Sequence, residues 1–128
     1  MTSIVNCTTD LQNPHGAKMN YFTFDITFWR RYTGDSEKKI PHFIGPMLGF
    51  IDIALGRGES VMVHCLMGAH RAGTTGTLCI MHFQGLSYRE AVKEAKTRRS
   101  LIDPIGDFPE LLRRCDRLPR DENKQFLL

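Results

Sequence analysis

The sequence predicts an α/β domain with a central, mainly parallel sheet flanked by helices. Short apolar segments of strand length alternate along the chain with longer segments in which apolar residues recur at helical spacing. Polar stretches containing Gly, Pro or Asn separate the two kinds of segment. In such folds the carboxyl ends of parallel strands meet at one edge of the sheet, where ligands bind. Because the chain has 128 residues and is 41% hydrophobic, we expect one domain, residues 1–128, with its own core.

Three segments have the composition of strands. Residues 3–7 are short and apolar, residues 20–26 are aromatic and β-branched, and residues 60–64 form an apolar run. Between the first two strands, residues 8–18 form a polar turn with Pro and Gly as breakers. Residues 27–39, which are basic and contain Gly, are predicted to be a loop.

Four segments are predicted to be helical. The first, residues 41–55, has apolar residues at helical spacing, and the second, residues 72–83, is expected to be largely buried. A third helix begins after Ser87, because Glu90 three residues later completes a capping box. Residues 108–118 form the last helix.

Composition and charge exclude several classes of protein. The chain contains no run of eighteen apolar residues, so no segment is expected to span a membrane. Its net charge of +3 is mild, and aromatic residues do not interleave with the basic ones in a recognisable nucleic-acid-binding motif, so we expect no nucleic-acid partner. The basic residues form either a rim that favours anionic substrates or solvated helix faces. The four cysteines are scattered rather than clustered, which favours a reducing compartment, the cytoplasm or the nucleus.

Residues 64–71, His-Cys-Leu-Met-Gly-Ala-His-Arg, lie between a predicted strand and a predicted helix. Their backbone N–H groups can turn inward around a phosphate dianion, and the positive end of the helix points at the same place. Arg71 adds a planar donor for phosphate oxygens. In that field Cys65 should ionise and act as a nucleophile. The predicted phosphate-binding residues are Leu66, Met67, Gly68, Ala69, His70 and Arg71.

The histidines of this segment could support the loop or bind a metal. His64 supports the loop by hydrogen bonding, in either a functional or a purely structural role. A metal site made of His64, Cys65 and His70 is disfavoured, because adjacent strand residues point to opposite faces and no second ligand cluster exists in the sequence. We therefore expect no metal.

The chain resembles the dual-specificity branch of the protein tyrosine phosphatases. The residues that support the resemblance lie at 4–8, at 41–43 leading to 50–52, at 61–65 and at 68–71. The resemblance implies hydrolysis of phosphotyrosine, with phosphoserine and phosphothreonine as further substrates, through a phosphocysteine intermediate and without a cofactor. The implied partner is a phosphorylated protein.

Two departures from the family pattern have consequences. The strands that usually precede residues 3–7 are missing, so the domain is either truncated or a minimal version with Ser3–Cys7 near an open sheet edge, which would favour a homodimer. The family also places Ser or Thr directly after the arginine, where its hydroxyl helps the thiolate leave, whereas this chain has Ala72. We expect slower breakdown of the phosphoenzyme unless Thr74 or Thr75 substitutes.

The general acid has three interpretations. Family members have an Asp near a Trp, and matching on Trp29 places Thr27 at that position. The strand context favours Asp25, and the sequence distance back from Cys65 favours Asp35. Asp25 is the first choice, Asp35 the second, and a reaction without a protein acid the third.

Two alternative functions follow from the same residues. Ala72 and the ambiguous acid are compatible with a phosphate-binding module that has weak or no turnover. A phosphatase for non-protein phosphate esters is the other alternative. It is disfavoured for phosphoinositides, because such sites usually have lysines inside the loop and this loop has none.

Overall fold

The computed structural model describes residues 3–8, 19–65 and 69–128. Within these ranges, two strands and two helices come first, followed by a third strand and three more helices. The strands are β1 (Ser3–Asn6), β2 (Asn20–Thr23) and β3 (Val61–His64). After a 3₁₀ turn at Ile26–Phe28, the helices are α1 (Trp29–Thr33), α2 (Lys39–Gly56), α3 (Arg71–Phe83), α4 (Tyr88–Arg98) and α5 (Phe108–Asp116).

The three strands form a parallel sheet in the order β2-β1-β3. Asn6 of β1 is the register partner of Thr23 on one side and of His64 on the other. The prediction that Ser3–Cys7 lies near an open edge is therefore wrong within the described sheet, because both sides of β1 are paired. The argument for a homodimer loses this basis, and the homodimer stays a prediction.

The core lies between this sheet and the helices. Helix α2 buries an apolar stripe at the spacing expected of an amphipathic helix, and Val5 of the central strand is fully buried against the same cluster. Helix α3 adds Leu78 and Met81. The members of the stripe are Ile40, Ile44, Met47, Leu48 and Ile51.

The prediction that residues 27–39 form a loop is wrong, because helix α1 occupies Trp29–Thr33. Trp29 is fully buried, and the guanidinium groups of Arg30 and Arg114 lie 4.5 and 5.3 Å from the centroid of its ring. The Thr33 hydroxyl donates to the Trp29 carbonyl at 3.1 Å. Contacts with α5, far along the chain, therefore stabilise a helix that local composition does not indicate.

The capping box at the start of α4 is confirmed. The Glu90 N–H donates to the Ser87 hydroxyl at 3.2 Å, and the Ser87 N–H donates to the Glu90 carboxylate at 3.1 Å. No helix in the ranges 3–8, 19–65 and 69–128 combines the length and apolar character needed to cross a membrane.

Candidate active site

Cys65 and Arg71 lie at the carboxyl edge of the sheet. Cys65 directly follows β3, and Arg71 is the first residue of α3. The Ala72 N–H donates to Cys65 Sγ at 3.3 Å, so the sulfur lies against the first turn of α3. There the positive end of the helix dipole favours a thiolate. The predicted loop residues Leu66, Met67 and Gly68 lie outside the described residues.

The end of the loop is fixed by hydrogen bonds to its carbonyl groups. The Asp103 N–H donates to the Ala69 carbonyl at 2.8 Å, and the N–H and hydroxyl of Thr74 donate to the His70 carbonyl at 2.9 and 2.6 Å. In a trans peptide the next N–H points opposite to the carbonyl. The His70 N–H therefore points away from Asp103. The Arg71 N–H points out of the amino-terminal end of α3, the end where the Cys65 sulfur lies.

His64 contributes through its main chain. It is the last residue of β3, is half-buried, and its carbonyl accepts a hydrogen bond from the Cys7 N–H at 2.8 Å. This bond extends the parallel pairing of β1 and β3 by one residue, up to the point where Cys65 begins the loop. The supporting role predicted for the His64 side chain stays a prediction.

The structure brings a second cysteine to the site. Cys7 is buried, and its thiol donates to the Thr75 hydroxyl at 3.2 Å on the same helix that contacts Cys65. Burial raises the pKa of Cys7 to about 12, and the charges of Cys65 and Arg71 act on it in opposite directions. Cys7 is therefore a protonated thiol at neutral pH. The sequence does not reveal this neighbour, because it depends on β1 and β3 being adjacent.

The candidate acids differ in their surroundings. Asp25 lies just after β2, and one carboxylate oxygen accepts a hydrogen bond from the Tyr32 hydroxyl at 2.8 Å. Its other oxygen is buried and has no hydrogen-bond partner among the described residues. Asp25 also lines an open cavity of about 460 Å³ beside Lys39 and His42. Asp35 is fully exposed and lies 3.7 Å from the guanidinium of Arg114.

Several arginines are paired with acids on the helix surfaces. Arg114 contacts Glu110 at 3.1 Å, and Arg117 contacts Glu37 at 2.7 Å. For these arginines, the contacts favour the interpretation of solvated helix faces over that of a basic rim. Further pairs join Arg30 to Asp107, Arg98 to Glu94, Arg113 to Glu110 and Arg120 to Asp116.

The family model for "Dual specificity phosphatase, catalytic domain" matches residues 1–117. The chain belongs to the dual specificity phosphatase family. The resemblance inferred from the sequence is thereby confirmed.

Relatives of this phosphatase domain come from several animals. It is 30% identical over 108 residues to human dual specificity protein phosphatase 7, and the aligned region covers 82% of this chain and 24% of the relative. It is 28% identical over 109 residues to the dual specificity protein phosphatase Mpk3 of Drosophila melanogaster, covering 85% of this chain and 26% of the relative. The chain thus spans about a quarter of the length of these relatives.

Solved structures confirm the fold. The crystal structure of DUSP15 matches with a TM-score of 0.72 at 20% identity, covering 91% of this chain and 70% of that one. The human tyrosine phosphatase-like serine/threonine/tyrosine-interacting protein matches with a TM-score of 0.66, also at 20% identity, covering 90% and 75%. The predicted α/β architecture is therefore that of dual specificity phosphatases.

Proposed function

We propose that this domain hydrolyses phosphate monoesters on proteins through a covalent phosphocysteine intermediate on Cys65. The observation that carries the proposal is the 3.3 Å hydrogen bond from the Ala72 N–H to the Cys65 sulfur at the amino-terminal end of α3. A thiolate stabilised there attacks phosphorus in line. The S–P bond forms as the ester P–O bond breaks, and the leaving oxygen takes a proton. Water then hydrolyses the S–P bond and releases phosphate and the thiolate.

Arg71 and the loop amides hold the phosphoryl group during both steps. The Arg71 guanidinium binds two of its oxygens, and the N–H groups of His70 and Arg71, aimed as described above, bind oxygens on the loop side. Because negative charge spreads over these oxygens in the transition state, donors that are fixed in advance lower the barrier. Leu66, Met67, Gly68 and Ala69 are assigned backbone contacts in the same role.

Asp25 is proposed as the general acid. It follows β2 at the same edge of the sheet at which Cys65 follows β3, and only β1 separates the two strands. Two strand spacings amount to about 10 Å between the main chains, a gap that the two side chains and a phosphoryl group between them can close. One carboxyl oxygen of Asp25 has no hydrogen-bond partner among the described residues, which supports this choice over Asp35, whose side chain is fully exposed beside Arg114. A reaction without a protein acid is the outcome if Asp25 has no role.

The helix residues after the arginine point to slow turnover. Thr74 donates its hydroxyl hydrogen to the His70 carbonyl at 2.6 Å, and Thr75 donates its own to the Arg71 carbonyl at 3.0 Å. Since each hydroxyl has one hydrogen, neither threonine has one left for Cys65. Neither replaces the hydroxyl missing at Ala72. This observation favours the second candidate function, a module that binds the phosphate group of a phosphorylated protein and hydrolyses it only slowly.

The substrate class proposed is phosphotyrosine, with phosphoserine and phosphothreonine as further substrates. A catalytic thiolate needs a reducing environment, so the proposed compartment is the cytoplasm or the nucleus.

Hydrolysis of p-nitrophenyl phosphate and of phosphotyrosine, phosphoserine and phosphothreonine peptides tests the proposal. We expect the wild type to release phosphate, with a phosphoryl adduct on Cys65 visible by mass spectrometry after a rapid acid quench. Cys65→Ser should abolish both. If the wild type binds phosphate but forms no adduct and is no faster than Cys65→Ser, the domain is a binding module and the proposed reaction is wrong.

A labelling experiment tests the ionised sulfur separately. Burial raises the pKa of Cys79 and Cys115 to about 12, as it does for Cys7, so these three remain thiols. Iodoacetate at mildly acidic pH should therefore label Cys65 first, and phosphate or vanadate should protect it. Uniform labelling without protection would contradict the proposed site.

A further inference from the structure

We propose that His70 is a positioning residue, whose side chain fixes the phosphate-binding loop through the main chain of Asp103. The inference rests on the proposed function, because it assigns a task within the same phosphate site. Two hydrogen bonds join the loop to the segment between α4 and α5. The Asp103 N–H donates to the Ala69 carbonyl at 2.8 Å, and His70 Nδ1–H donates to the Asp103 carbonyl at 2.6 Å.

The first hydrogen bond sets the plane of the Ala69–His70 peptide. Its carbonyl points toward Asp103, so the His70 N–H points the opposite way, away from Asp103. A flip of this peptide would turn a carbonyl oxygen toward the bound dianion and remove a donor from it. Such a flip breaks the bond to the Asp103 N–H, and the resistance to it therefore depends on how firmly Asp103 is held.

The second hydrogen bond supplies that hold. Asp103 precedes Pro104, and a residue before proline is restricted to extended conformations. In an extended residue the N–H and C=O point to the same side of the chain, so both groups of Asp103 face the loop. His70 completes the pair by donating to the carbonyl, while Ala69 accepts from the N–H. Ala69 is buried, which shields its bond from competing water.

The chemistry of the acceptor fixes the state of the imidazole. A carbonyl oxygen only accepts, so Nδ1 of His70 carries the hydrogen, in the neutral Nδ1–H tautomer or in the imidazolium. An Asn side chain at position 70 can place an amide N–H near the position of Nδ1. A Leu side chain has a similar shape but no donor. These two substitutions therefore form a matched pair that separates hydrogen bonding from packing.

The experiment compares wild type, His70→Asn and His70→Leu. Each protein is assayed for kcat and KM with p-nitrophenyl phosphate, for competitive inhibition by inorganic phosphate and vanadate, and for its thermal midpoint. Losing the donor should weaken inhibition by inorganic phosphate about tenfold in His70→Leu, by the ordinary contribution of one hydrogen bond. We expect KM of the His70→Leu variant to rise in parallel with its inhibition constant for phosphate, and kcat to fall by a smaller factor. His70→Asn should stay within about twofold of wild type. Pro104→Ala, which frees Asp103, should shift inhibition in the same direction as His70→Leu.

The outcomes distinguish the two proposals. If the wild type neither hydrolyses the ester nor binds phosphate, the proposed function fails. If the wild type does both and His70→Leu matches it, the function stands and the role of His70 is overturned. Equal weakening in the Asn and Leu variants at unchanged thermal midpoint would also overturn it, since the donor would then not matter.

Spectroscopy of the wild type provides a test that does not depend on the folding of any variant. In ¹⁵N spectra of the wild-type imidazoles, the hydrogen of His70 is expected on Nδ1, with slow exchange. A neutral ring with its hydrogen on Nε2 would refute the hydrogen bond and the inference with it.

Discussion

Replacing Ala72 by Ser is expected to speed the second half of the proposed reaction. Ala72 is buried beside the Cys65 sulfur, and its N–H already donates to that sulfur at 3.3 Å. A serine hydroxyl on the same turn of α3 can add a second donor. When water cleaves the S–P bond, the sulfur leaves as a thiolate, and this donor stabilises the charge that develops on it.

The size of the effect follows from the type of hydrogen bond. A hydrogen bond to a charged group contributes about 1.5–3 kcal/mol, which corresponds to roughly a ten- to hundredfold change in rate. Because the hydroxyl hydrogens of Thr74 and Thr75 are donated to carbonyl groups, wild type has no equivalent donor from these residues. The first step gains nothing, since the same donor stabilises the attacking thiolate before it reacts.

Rapid mixing with p-nitrophenyl phosphate separates the two steps. Wild type should show a burst of nitrophenolate followed by slow turnover. Ala72→Ser should keep the burst rate and raise the steady rate by about tenfold or more. Ala72→Thr and Ala72→Val form a matched pair that differs in the hydroxyl but not in shape. If the serine enzyme turns over no faster, or if valine accelerates as much as threonine, the reasoning about the missing hydroxyl is refuted.

Two further predictions concern charge. Asp25→Asn should reduce the rate of hydrolysis of phenyl phosphate by about a hundredfold and that of p-nitrophenyl phosphate much less, because a good leaving group needs little help from an acid. Equal losses with both substrates would show that Asp25 is not the general acid. Burial lowers the pKa of His82 below 6.5, with Asp52 and Asp121 partly opposing the shift and Arg120 adding to it. The Phe126 N–H donates to its Nδ1 at 3.1 Å, which requires that nitrogen to be unprotonated. Below pH 6.5 the unfolded chain therefore binds more protons at His82 than the folded chain does. Through this residue, the free energy of unfolding is constant above pH 6.5 and decreases as the pH falls below it. His82→Asn, which does not titrate, should flatten this decrease in urea titrations at several pH values; parallel pH profiles would contradict it.

Local signals explain what the sequence predicted well. The segment around Cys65 depends on consecutive residues, a strand that leads into a loop and a helix that follows it, so its spacing could be recognised without any tertiary contact. The capping box of Ser87 and Glu90 is equally local, and it is confirmed. In both places the chemistry is contained within a few residues.

Long-range contacts explain what the sequence could not predict. Helix α1 depends on burying Trp29 under Arg114, and the pairing of β1 on both sides depends on strand order, which no local pattern determines. The approach of Cys7 to the site follows from that order. The contact of His70 with Asp103 joins residues 33 positions apart.

The amino-terminal turn of α3 links substrate binding to turnover. The hydroxyls of Thr74 and Thr75 donate to the carbonyls of His70 and Arg71, and the bonds to His70 aim the Arg71 N–H out of the helix. If Thr74 turned its hydroxyl hydrogen toward Cys65 instead, it would give up one of the bonds that hold this orientation. The hydroxyl missing at Ala72 therefore has no replacement from this residue that leaves the loop unchanged. Phosphate binding and release of the thiolate thus depend on different residues of one helical turn, so Ala72→Ser should raise turnover while inhibition by inorganic phosphate stays constant.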